Sequence, residues 1–284
     1  MRFSMRNSFK GFVVLLTFAL SGCSGFLYYP DQKHYVEEVD LPVRPTTFWI
    51  PVENSKLHSW YFQSPRVRDL KPIIVFFHGN AQNLSVQFYG LYWLLEQGYD
   101  YLVFDYRGYG RSKGSPSPKK TVQDGMAVLR FVHAQFPERP IVVVAQSLGG
   151  AIAIRTVSDL KKEIPIALFV ADSTFLSYKQ AARGVLGQSW VTAWLKPFVS
   201  LFLSDRYAPL ERVKDLSPTP LLVIHGTADS VIPFALGKQL FEAARDPKEF
   251  WEVEGGQHVS AFWGREDTYR VRFISKMEAT LGKL

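Results

Sequence analysis

Five short runs decide what this chain can fold into: "IIVFFH" from Ile73, "YLVFDY" from Tyr101, "IVVVAQ" from Ile141, "IALFVAD" from Ile166 and "LLVIHG" from Leu221. Each is continuously apolar rather than alternating, as a strand buried on both faces requires. Helical stretches separate them. Val122, Met126, Leu129, Val132 and Phe136 recur at helical spacing, with His133 at the edge of that stripe. A second helix is expected from Leu84 to Gln97, stopped by Gly98, and a last one from near His258, with Phe273, Met277 and Leu281 inward. Strands alternating with helices predict an α/β domain with a mostly parallel central sheet and helices on both faces. Upstream, "TTFWIPV" and "KLHSWYFQ" flank a polar "ENS" and read as a hairpin. Ligands of such sheets bind beyond the carboxyl ends of the strands.

Those ends carry the polar residues. "IIVFF" is followed by His78-Gly79-Asn80-Ala81, and "YLVFD" by "YRGYGRSKG". "IVVVA" leads to Gln146-Ser147-Leu148-Gly149-Gly150, and "LLVIH" to Gly226-Thr227-Ala228-Asp229. "EFWEVEG" leads to Gly256-Gln257-His258. Ser147, between a strand and a small-residue helix, has two readings. One is a helix N-cap. The other is a nucleophile elbow of the form small-x-Ser-x-Gly, with Ala145 where glycine is commoner. "GYGRSKG" lacks the Gly-Lys-Ser/Thr ending of a phosphate loop and reads as a turn. Arg107, Arg111 and Lys113 are expected in solvent there, the alternative being an anionic head group near the site's rim.

Together "FFHGNA", "DYRGYGRS", "AQSLGG", "GTADSVIP" and "GGQH", each at a strand end, resemble the α/β-hydrolase superfamily. They are most similar to its serine-hydrolase branch of monoglyceride-lipase-like and protein-depalmitoylating enzymes. The resemblance runs from Thr46 to the C-terminus. It implies Ser147 as nucleophile, His258 as general base and Asp229 as the acid that orients His258. His225 is assigned a structural role. Asp172, in "FVADST", is a rival acid or else a turn cap. The resemblance also implies oxyanion donors from the backbone N–H groups of Leu148 and Asn80, with Ala81 as an alternative to Asn80. The alternative role for Asn80 is a side chain that braces its loop. This chemistry requires no metal and no cofactor.

A segment from about 175 to 217 interrupts the rhythm. Within it Trp190, Trp194, Phe198, Leu201 and Phe202 recur at helical intervals, and Pro197 divides two expected helices. Core packing is the expectation for most of these residues; the functional reading is a lid whose underside forms an acyl pocket. The N-terminus reads as an export signal over residues 1–22, with Arg2, Arg6 and Lys10 before the apolar Gly11–Leu20. "LSGC" resembles a bacterial lipoprotein box, which makes Cys23, the single cysteine, the lipid attachment site. An uncleaved membrane anchor is the alternative. Ser24 implies outer-membrane retention facing the periplasm, and residues 23–44 read as a lipidated tether to a hydrolase domain over 45–284. Setting aside the three basic residues of the signal lowers the formal net charge from +7 to +4, which gives no case for nucleic acid. The expected function is hydrolysis of an acyl ester or thioester, with a lipid or lysophospholipid as candidate substrate. A peptidase acting at chain ends and a non-catalytic binding protein are the alternatives.

Overall fold

The computed structural model describes residues 28–66, 72–187, 193–263 and 268–282. Eight strands form one sheet: β1 (Thr46–Val52), β2 (Ser55–Phe62), β3 (Ile73–Phe77), β4 (Asp100–Phe104), β5 (Ile141–Gln146), β6 (Ile166–Asp172), β7 (Leu221–Gly226) and β8 (Lys248–Val253). Their spatial order is β1-β2-β4-β3-β5-β6-β7-β8. The β1–β2 and β2–β4 pairs are antiparallel, and β3 through β8 with β4 run parallel. The expected hairpin is present, with Thr46 opposite Tyr61 and a two-residue turn at Glu53-Asn54. β3 to β7 are buried along their whole length, which is why their sequences lack alternation.

Helices cover both faces. On one side lie α2 (Pro118–Gln135), α3 (Leu148–Leu160) and α6 (Phe234–Ala243), packing Leu129, Ile152 and Leu240 against Val75, Val143 and Val223. On the other lie α1 (Leu84–Gln87), which tightens into a 3-10 helix over Phe88–Gln97, and α7 (Thr268–Leu281). They place Leu91, Phe273 and Met277 against Phe76, Val144 and Ile224. Asn83 caps α1 by accepting the Ser85 N–H, and Gly98 ends the 3-10 turn in the left-handed region at φ 79°. The last helix starts at Thr268, ten residues beyond the His258 start expected from sequence. Turns occupy 258–263, and Val259 has φ 50°, which a helix does not admit.

Two further expectations change. Residues 28–44 are not a free tether, because they lie against the domain. Tyr28 is buried beside Thr121, Asn83 donates to the carbonyls of Asp31 and Lys33, and Glu37 and Glu38 pair with Arg111. The 175–217 segment holds α4 (Tyr178–Gly187), α5 (Val199–Phe202) and short 3-10 turns. There core packing takes Val199 and Leu203 but leaves Trp194 66% and Leu201 74% exposed, with Phe198 and Phe202 also exposed. Cys23 and Trp190 lie outside the described residues.

Candidate active site

Ser147 sits between β5 and α3 with φ 53° and ψ −121°, so the elbow is real and its strain is local. Its side chain caps no helix N–H, which removes the N-cap reading. The turn is clamped from three sides. Ser147 N–H donates to the Asp172 carbonyl at 2.9 Å, and its own carbonyl accepts from Thr174 Oγ1 at 2.6 Å and Gly150 N–H at 3.0 Å. The small residues behind it have a steric reason. A Cβ on Gly149 would lie 2.2 Å from the Phe77 carbonyl oxygen, and one on Gly150 would lie 2.4 Å from Thr174 Oγ1. The half-buried hydroxyl therefore stands at the carboxyl edge of the sheet, where α3 crosses close over β3.

Asp229 and His258 meet. Asp229 Oδ2 lies 2.8 Å from His258 Nδ1, and Asp229 Oδ1 accepts the N–H groups of Val231 and Ile232, each at 2.8 Å. With the carboxylate fixed this way, Nδ1 carries the proton and Nε2 is the free acceptor. Burial alone would raise the Asp229 pKa. The hydrogen bonds from His225, His258 and Ile232 outweigh it and hold the carboxyl well below the usual carboxylate range. His225 is fully buried, shares its Nε2 with the Ile232 carbonyl at 2.9 Å, and lies 3.3 Å from Asp229 Oδ2. It braces the acid, in keeping with a structural role. A Gly237 Cβ would strike its ring, so α6 packs directly on this brace.

Asp172 is not paired with His258. It accepts from Gln146 Nε2 at 2.9 Å and Ser173 Oγ at 3.1 Å beneath the elbow, and burial raises its pKa. Its neighbour Ser173, at φ 51°, accepts the Val259 N–H at 3.0 Å. Through Asp172 and Ser173, the end of β6 holds the Ser147 turn on one side and the His258 loop on the other. Among the described residues no hydrogen bond joins Ser147 Oγ to His258, a contact that often tightens only once substrate binds.

Leu148 is the first residue of α3, where an N–H has no acceptor within its own helix. The Asn80 side chain braces the loop, its Oδ1 accepting Tyr109 Oη–H at 2.7 Å and Tyr29 N–H at 3.0 Å. Those partners lie 29 and 51 residues away, beyond the reach of any local sequence signal. His78 is buried, with its ring against Tyr106 and its carbonyl accepting Tyr106 Oη–H. Arg107 corrects an expectation: it is buried, not solvated. Its Nε lies 2.6 Å from Asp124 and its other nitrogens reach Glu53 and the Lys120 carbonyl. Among the described residues, His34, Glu37 and Glu38 have metal-ligand spacing, but the Arg111 guanidinium already lies 2.9 and 3.0 Å from the two carboxylates.

Residues 68–216 match the profile of the family described as serine aminopeptidase, S33. The chain is 31% identical to the protein YfhR of Salmonella typhimurium, over 89% of this chain and 87% of that one. It is 30% identical to the lysophosphatidylserine lipase ABHD12 of Danio rerio, covering 82% of this chain but 61% of that longer relative. A Pyrococcus furiosus esterase, Pf2001, shares the fold with a TM-score of 0.68 and 24% identity, over 90% of this chain and 97% of that one. The sheet order, the strained elbow and these relationships agree: the chain belongs to the serine aminopeptidase S33 family of α/β-hydrolase enzymes.

Proposed function

We propose that this enzyme is a membrane-tethered serine hydrolase that cleaves an acyl ester or thioester through Ser147, His258 and Asp229. The observation that carries the reading is the Asp229–His258 pair at 2.8 Å, held to the Ser147 elbow through Asp172 and Ser173. Ser147 Oγ attacks the acyl carbon while its proton passes to His258 Nε2. The carbonyl oxygen becomes an oxyanion that accepts hydrogen bonds from the N–H groups of Leu148 and Asn80. Collapse breaks the bond to the alkoxide or thiolate leaving group, which takes the proton from His258. Water then attacks the acyl-enzyme, giving one proton to His258 and releasing the acid as that proton returns to Ser147 Oγ.

A lysophospholipid or other single-chain lipid is the substrate class we favour. The lipase relative and the apolar residues of the 175–217 segment support it. The family description supports a second reading, cleavage of peptides at their N-terminus. Such an enzyme must hold a free ammonium group, which calls for carboxylates near the acyl site. No Asp or Glu occurs from Ser173 to Ser204, and the next acid, Asp205, is already engaged by Ser177 Oγ and Lys179 N–H, which favours the lipid. A screen of acyl esters, acyl thioesters, lysophospholipids and aminoacyl amides tests this. Turnover of lysophospholipids or acyl thioesters well above that of amides is expected; selective release of N-terminal residues would replace the reading. Tethering through a lipidated Cys23 belongs to the same proposal. Mass spectrometry of the mature N-terminus should find a modified Cys23, and an unmodified Cys23 with Met1 retained would remove it.

A further inference from the structure

The 175–217 segment leaves large apolar side chains in water. Trp194, Phe198, Leu201 and Phe202 are 66%, 46%, 74% and 45% exposed, and the Trp194 and Phe198 rings lie edge to face at 6.4 Å. An apolar grouping of this size on a monomer marks a contact surface. Its charge is one-sided as well. From Ser173 to Ser204 its charged residues are Lys179, Arg183 and Lys196, and the acid that follows, Asp205, is turned to the start of α4, where it accepts from Ser177 Oγ and Lys179 N–H. Aromatic and leucine side chains beside basic residues on short helices are the composition of elements that lie in a lipid interface.

The point where the chain enters the domain bears on the same surface. Tyr28 is buried in one apolar cluster with Tyr178, the first residue of α4. Only five peptide steps separate Tyr28 from Cys23, a reach of about 18 Å when fully extended. A membrane anchor at Cys23 would hold the start of α4 within that distance of the bilayer. α4 in turn leans on the acid loop, where a Gly184 Cβ would lie 3.1 Å from Pro233 Cγ, four residues beyond Asp229.

We propose that α4 and the run from Trp194 to Leu203 form a docking face for an anionic lipid surface, with the active site opening toward the bilayer. Its orientation rests on the membrane-tethered reading above. Docking supplies lipid substrates from the membrane, so it sets the rate on membrane-borne substrates and not on water-soluble ones.

The test uses the full chain reconstituted in phosphatidylcholine vesicles with and without phosphatidylglycerol. Tryptophan emission is quenched by lipids brominated on their acyl chains. Trp194→Phe is expected to lower the quenched intensity at least about twofold, and phosphatidylglycerol should increase quenching of the wild type. Lys179→Glu combined with Lys196→Glu should reduce both quenching on phosphatidylglycerol vesicles and hydrolysis of a vesicle-borne ester about tenfold, with hydrolysis of a water-soluble short-chain ester within about twofold of wild type. Unchanged quenching in Trp194→Phe would overturn the proposal. So would quenching indifferent to phosphatidylglycerol, or a lipid-free dimer in which Trp194 is shielded from iodide, which would make the face an interface between copies. Fluorophosphonate labelling in the same samples keeps the two readings separate. Absent labelling with intact quenching would sink the hydrolase reading alone.

Discussion

Asp229 meets two demands at one carboxylate: it anchors its own turn through Val231 and Ile232 and holds the ring of His258. Asp229→Asn keeps the shape but removes the charge, and can favour the wrong imidazole tautomer, at a cost of about 10⁴-fold in turnover. Asp172→Asn should keep most activity, because Asp172 contacts Gln146 and Ser173 rather than the base. Ester hydrolysis by the two folded variants checks this, and the reverse ranking would reassign the acid. The lowered pKa of Asp229 fixes the sign of its acid sensitivity. Its stabilising contribution is complete above the ordinary carboxylate value of about 3.9 and is lost as pH falls through the folded-state value. The urea-midpoint gap between wild type and Asp229→Asn should therefore hold from neutral to mildly acid pH and narrow only below about pH 4. Arg107 offers a second case. Burial pushes the Asp124 carboxyl up to about 6 although the Arg107 contacts lower it. Arg107→Ala strands a buried carboxylate and should cost about 3–5 kcal/mol at neutral pH, against about 0–1 for the more exposed Arg111→Ala. The Arg107→Ala cost should shrink near pH 5, where Asp124 can take up a proton. Denaturant unfolding at the two pH values measures it.

The elements differ in how openly the sequence announces them. β3 to β7 are readable because burial on both faces removes polar residues, and their ends are readable because Gly, Ser, Asp and His collect there. The start of α7 is not, because 258–263 folds into turns that carry His258, and helix-compatible residues there say nothing of the loop geometry. Nor is the packing of residues 28–44, since Pro and charge suit a tether as well as a strap whose bonds go to Asn80, Asn83 and Arg111. Arg107 departs from its expected solvated place for a related reason: its partners Glu53 and Asp124 lie on the β1–β2 turn and on α2, and neither is adjacent in sequence. The elbow, by contrast, follows from local steric need. Gly149→Ala puts a methyl 2.2 Å from the Phe77 carbonyl and must push α3 off β3, whereas Gly79→Ala finds its nearest neighbour at 3.7 Å. Gly149→Ala should lower the melting temperature by several degrees and remove most turnover. Gly79→Ala should change the melting temperature little. Thermal unfolding of both, with turnover of Gly149→Ala, tests the assignment.

At the scale of the molecule, a parallel sheet brings loops separated by more than a hundred residues to one edge, and the proposed chemistry uses that convergence. The β3 loop carries Asn80, the β5 turn Ser147, the β7 turn Asp229 and the β8 loop His258. The β6 end, with Asp172 and Ser173, joins the serine turn to the histidine loop. A set that acts as one unit should fail as one, so losing any two members adds little to losing one. The most direct measurement is labelling of the folded chain with a fluorophosphonate, followed by peptide mass spectrometry. The account predicts a single adduct on Ser147, abolished in Ser147→Ala, greatly slowed in His258→Ala and Asp229→Asn, and retained in Asp172→Asn. A folded chain that takes up no label, or takes it up elsewhere than Ser147, would contradict it.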